Sequence, residues 1–184
     1  MIFSFKKHNF LIKKLVKEVL FNELETNLNF RDFSLNKLHK YFPPEKKPHL
    51  LSKVYSLFRD EKFQIEYDKL CNILKEEFHT PNTRFQSIPS IRIQMPGDKS
   101  VDFHADIFYG HGKNIINYWM PITKVYGNNS MFVIDQNRSD NLIYETKKLR
   151  ESVIDFNKKC YAASMPLEID YGEVLKYHYE SKSD

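Results

Sequence analysis

At 184 residues, with 41% hydrophobic and 28% charged side chains, the chain has an ordinary globular composition. It is long enough to bury a core and too mixed for a disordered or membrane class. No stretch approaches the ~20 uninterrupted apolar residues a bilayer span requires, and Lys6, Lys7, Lys13, Lys14 and Lys17 interrupt any signal-peptide core. The net charge of +4 is too mild to argue for nucleic acid, and the two cysteines, Cys71 and Cys160, lack the spacing of a disulfide framework or zinc knuckle. A single domain over residues 1–184 in a reducing cytoplasm, with no nucleic-acid or membrane partner, is expected.

Residues 1–60 carry 12 Lys/Arg against 6 Asp/Glu, a surplus that reads as a solvated helix face more readily than as a phosphate-binding one. The first 80 residues are helical in pattern. Phe10, Leu11, Leu15, Val19, Leu20, Leu24 and Leu28 follow three-four spacing with lysines between them. Pro43, Pro44 and Pro48 mark a turn, and Phe63, Tyr67, Leu70, Leu74 and Phe78 define a second helical face that ends at His79-Thr80-Pro81-Asn82.

Beyond Pro81 the period becomes two. Ile91, Ile93 and Met95 share one face and Arg92 and Gln94 the other, before a turn at Pro96-Gly97-Asp98. Val101, Phe103, Ala105 and Ile107 then alternate with Asp102, His104 and Asp106. Strands are expected over 114–120, 131–134, 165–170 and 174–179, with a helical insertion at 145–160. Helices followed by many short strands describe an α+β arrangement or a jelly roll flanked by helices. Parallel βαβ winding is disfavoured, since few strand candidates are separated by helix-length segments.

His104-Ala105-Asp106 is the sharpest feature. On a strand, residues two apart point to one face, so an imidazole and a carboxylate would enter one cavity together. With one distant histidine they would form the facial triad of a non-haem Fe(II) oxygenase. Spacing alone is weak evidence: with 7 histidines and 24 acidic residues, roughly one H-x-[DE] arises by composition, and His178-Tyr179-Glu180 is a second.

The surrounding run is more specific. Residues 91–106 are followed by Tyr109-Gly110-His111, Asn114-Ile115-Ile116-Asn117-Tyr118-Trp119-Met120-Pro121-Ile122-Thr123 and Gly127-Asn128-Asn129-Ser130. In order and spacing this resembles the 2-oxoglutarate/Fe(II)-dependent dioxygenases of bacterial carbohydrate and aminoglycoside biosynthesis clusters, distant relatives of the phytanoyl-CoA dioxygenase family. The resemblance covers roughly residues 84–180. It implies a double-stranded β-helix (jelly-roll, cupin-like) core at 84–184 with the 1–80 helices packed on it, Fe(II) and 2-oxoglutarate as cofactors, and a sugar-like small-molecule substrate.

Carried over by position, His104 and Asp106 match the first two iron ligands. Asn117 and Trp119 match the strand that lines the co-substrate pocket; core packing of Trp119 and a ladder-edge hydrogen bond from Asn117 are the plain alternatives. Arg92 could hold a carboxylate or phosphate, or form a surface salt bridge. Tyr109 and His111 match the border of the substrate opening, although a loop histidine is commonly just solvated. Lys99 reads as a surface residue.

The pattern breaks late. Gly172-Glu173-Val174-Leu175-Lys176-Tyr177-His178 matches the run that opens the family's late strand, but the register of the distal iron-binding histidine falls on Ser183, just before Asp184. Three explanations stay open: a sequence cut short, a non-catalytic jelly-roll binding or scaffold protein with a vestigial site, or His178 as third ligand through a shifted register. Loss of the last strand would leave a sheet edge that favours a homodimer.

Overall fold

The computed structural model describes residues 1–98, 102–104 and 115–177. Its Cα positions divide into two compact units, one of Lys6–Asp98 and one of Met1–Phe5 with Lys99–Asp184.

The Lys6–Asp98 unit is helical. Helix α1 (Ile12–Phe21) buries Ile12, Val16 and Leu20, three residues at successive steps of four on one stripe. Of the expected stripe, Phe10 and Leu20 are buried, whereas Leu11 is exposed and Ile12 and Val16 are buried in place of Leu15 and Val19. Both series have helical spacing, so only the packing of the face distinguishes them. Three more helices follow: α2 (Leu38–Tyr41), α3 (Lys47–Leu57) and α4 (Glu61–Glu77). Helix α1 packs on α3 and α4, and Leu50, Val54, Phe58, Phe63 and Phe33 are buried. The Asp60 carboxylate caps α4 by accepting from the Lys62 N–H at 2.9 Å. The helix ends as the sequence suggests, with His79 in the left-handed region at φ 50°.

Residues 91–95 keep the expected alternation: Ile93 and Met95 are buried while Arg92 and Gln94 are exposed. Among the described residues they form no strand, however, so the alternation reflects burial of one side without a hydrogen-bonded ladder. The turn that follows is fixed by Gly97 at φ 83° and by Asp98, whose carboxylate accepts from the Met95 N–H at 2.7 Å and from Lys47 Nζ at 2.5 Å.

In the other unit, β1 (Ile2–Ser4), β5 (Glu173–Tyr177) and β2 (Asn117–Trp119) make an antiparallel sheet with β5 at its centre. Strand β1 corrects the expectation that the first 80 residues are wholly helical: three residues carry too little periodicity to declare a strand. It also gives β5 a neighbour on each side. Gly172 at φ 85° turns the chain into β5, with the Glu173 N–H donating to the Asp170 carbonyl at 3.0 Å.

A second, two-stranded sheet pairs β3 (Phe132–Val133) with β4 (Met165–Pro166), and Val125 bridges Ile169. Val125, Ile169 and Leu175 form the buried cluster, with Trp119, Met131, Val133 and Leu167 packed around it. Every pairing among the described residues is antiparallel.

The expected single helix at 145–160 is instead two, α5 (Gln136–Leu149) and α6 (Val153–Ala163), packed on each other. Arg150 adopts φ 51° and its N–H donates to the Thr146 carbonyl, ending α5; Ser152 then caps α6 by accepting from the Asp155 N–H at 3.2 Å. No helix among the described residues is long and apolar enough to cross a membrane.

Candidate functional site

His104 lies on a short strap, residues 102–104, which the described residues do not pair into a sheet. Two hydrogen bonds shape it. The Phe103 N–H donates to Asn157 Oδ1 of α6 at 2.7 Å, and His104 Nδ1 lies 2.6 Å from the Asp102 carbonyl oxygen. A carbonyl oxygen only accepts, so Nδ1 holds the proton, and in the neutral ring Nε2 carries the lone pair. Metal-binding histidines take this form, one ring nitrogen donating to a carbonyl while the other faces the ion. His104 is exposed.

Helix α6 is itself well anchored. Cys160 is buried, Tyr161 stacks on Phe132 of β3 with ring centroids 5.4 Å apart, and Lys159 Nζ reaches Glu151 at 2.5 Å and Glu145 of α5 at 3.9 Å. Asn157 is oriented by its own helix, because its Nδ2 donates to the Val153 carbonyl at 2.9 Å and leaves Oδ1 for the strap.

Beside the strap lies an open depression of about 480 Å³ lined by Asp102, Val153, Ile154, Asn157, Lys158 and Tyr161. Val153, Ile154 and Tyr161 are at least 60% exposed, apolar surface that an amphipathic small molecule could cover. Lys158 has Asp155 as a counter-charge at 3.7 Å.

The other sequence-selected residues are distributed as follows. Asn117 and Trp119 lie on β2 opposite Tyr177 and Leu175. Trp119 packs against the Val125, Ile169 and Leu175 cluster, as its plain alternative supposes. Arg92 is exposed and belongs to the Lys6–Asp98 unit. Asp106, Tyr109, His111 and His178, with Lys99, lie outside the described residues. Among the described residues, no three His, Cys, Asp or Glu side chains gather as a metal-binding group.

Neither cysteine is poised as a nucleophile or thiolate ligand. Burial pushes the Cys71 and Cys160 thiols up to about 11, so both are protonated at neutral pH. Two residues near the motif escaped the sequence reading: Asn157, which holds the strap, and Tyr161, which walls the depression. Asn157 lies 54 positions from Phe103, and no local pattern marks it.

Part of the chain is similar to the streptomycin biosynthesis protein StrG of Streptomyces griseus, with 35% identity over 52 residues. That match covers 28% of this chain and 26% of the relative's length, so the chain spans about a quarter of the curated relative. No family model and no solved structure matches.

Proposed function

We propose that the chain is a 2-oxoglutarate/Fe(II)-dependent oxygenase, built on a jelly-roll core, that hydroxylates a sugar-like small molecule in a biosynthetic pathway. The observation that carries the proposal is His104-Ala105-Asp106 within its extended run, together with the Nδ1-protonated form of His104 that its contact with the Asp102 carbonyl selects. The partial similarity to a streptomycin biosynthesis protein supports the biosynthetic context.

The donor chemistry of His104 fits a divalent metal. His104 Nε2 and the Asp106 carboxylate would hold Fe(II), with His178 as the candidate third ligand. Fe(II) and 2-oxoglutarate, when bound, supply the oxidative decarboxylation of the co-substrate to succinate and the oxygen delivered to a substrate C–H bond. The protein's own part is positional. The strap sets the direction of the imidazole, Asn117 offers a polar group on β2 for the co-substrate, and the Val153, Ile154 and Tyr161 surface offers the substrate an apolar floor.

Fe(II)-dependent release of succinate from 2-oxoglutarate is the expected activity, and His104→Ala abolishes it. Turnover that persists without iron, or survives this substitution, overturns the proposal. If calorimetry detects neither Fe(II) nor 2-oxoglutarate and neither ligand moves the thermal midpoint, the chain is instead a non-catalytic binding or scaffold protein.

A further inference from the structure

We infer that Asn157 is a positioning residue for His104: its carboxamide ties the metal-bearing strap to helix α6 and thereby sets the aim of the imidazole. The inference rests on the metal-binding proposal above and extends it to a residue outside the motif.

Three holds act in series. Helix α6 is fixed by buried Cys160 and by the stacking of Tyr161 on Phe132. The Asn157 amide is oriented by its bond to the Val153 carbonyl at 2.9 Å, so Oδ1 points toward the strap without a competing amide flip. The Phe103 N–H then closes on Oδ1 at 2.7 Å, short for a neutral hydrogen bond. Phe103 is the residue between Asp102, whose carbonyl selects the His104 ring form, and His104 itself. The Phe103 N–H and the Asp102 carbonyl belong to one planar peptide group, so holding the amide fixes the acceptor end of the Asp102–His104 contact. Without the tie, a strap that the described residues place in no sheet loses its link to α6, and the Asp102 carbonyl that selects the ring form is less firmly held. Partners that orient a metal ligand typically change metal affinity by about 10–100-fold when removed.

The test uses the full chain and Mn(II) as probe metal, titrated by electron paramagnetic resonance without 2-oxoglutarate. The wild type binds, His104→Ala loses binding, and Asn157→Ala binds about 10-fold more weakly at an unchanged metal-free thermal midpoint. In that variant the ring ¹⁵N resonances of His104 also move from the Nδ1-protonated pattern toward a mixture. Asn157→Ala binding as tightly as the wild type, with His104→Ala still inactive in binding, overturns this inference and leaves the metal proposal standing. A wild type that does not bind Mn(II), or His104→Ala that binds as tightly, overturns both. If Asn157→Ala does not fold, amide hydrogen exchange in the wild type decides: a protected Phe103 N–H supports the tie, and exchange at the rate of an open chain overturns it.

Discussion

The two compact units are stabilised differently. In Lys6–Asp98, the helices close over side chains with almost no exposure: Leu50 and Val54 at 0%, Leu20, Phe33 and Phe63 at 1%. In the other unit Phe5 and Val174 are as deeply buried and Val125, Ile169 and Leu175 form a cluster, but α5 buries no residue, and Val153, Ile154 and Tyr161 face solvent. Dense apolar packing is what fixes a fold, whereas a binding surface needs unfilled apolar area and polar groups held by few contacts. The helical unit thus closes over its apolar side chains more completely than the α5–α6 face of the other does.

The contrast is tested most severely by a matched pair of truncations. Leu50→Ala should destabilise the helical unit by about 2–5 kcal/mol, whereas Ile154→Ala, at an exposed position, should stay within about 0.5 kcal/mol. Denaturant unfolding followed by far-ultraviolet circular dichroism measures both, and equal losses would break the distinction.

A smaller effect is expected at a helix end. Asp60→Ala removes the side-chain acceptor for the Lys62 N–H and should cost about 1 kcal/mol. Asp60→Asn, which keeps an acceptor, should recover most of it in the same unfolding experiment.

The smallest effect is in pH. Lys47, and then the Met95 N–H, hold the Asp98 carboxyl below its ordinary value of 3.8. Because the folded value is depressed, the contribution is fully present above the unfolded value and disappears as pH falls through the folded one. The unfolding midpoint should therefore drop below pH ~4, and Lys47→Met should flatten that acid limb. An identical acid limb in the variant would remove Lys47 as the cause.

What the sequence made legible tracks how local each signal is. Helix α4 was readable because Phe63, Leu70 and Leu74 repeat over four turns and His79 stops them. Helix α1 was readable as a helix and its buried face only in part: Phe10 and Leu20 were expected and are buried, while Leu11, Leu15 and Val19 compete with Ile12 and Val16, and only the packing against α3 and α4 decides between them. The division between α5 and α6 carried local signals, Asp135 and Ser152, which accept from Arg138 and Asp155 N–H groups three residues on, a capping pattern that outranks an apolar count. At the proposed site, His104-Ala105-Asp106 was visible because its two candidate ligands are two positions apart. Asn157 was not, because a hydrogen bond across 54 positions leaves no trace in either neighbourhood.

The pairing of β1 with β5 has a consequence for the order of events during synthesis. The Met1 ammonium donates to the Lys176 carbonyl, a closure across 175 positions. The residues of β1 must therefore wait, unpaired, for a strand made 175 positions later. Contacts so distant in sequence form late and slowly, whereas the helices of Lys6–Asp98 find their partners within a much shorter stretch of chain and can fold as soon as it has emerged. The β1–β5 sheet thus forms after those helices, and Met1–Ser4 is a pairing-competent segment until it does.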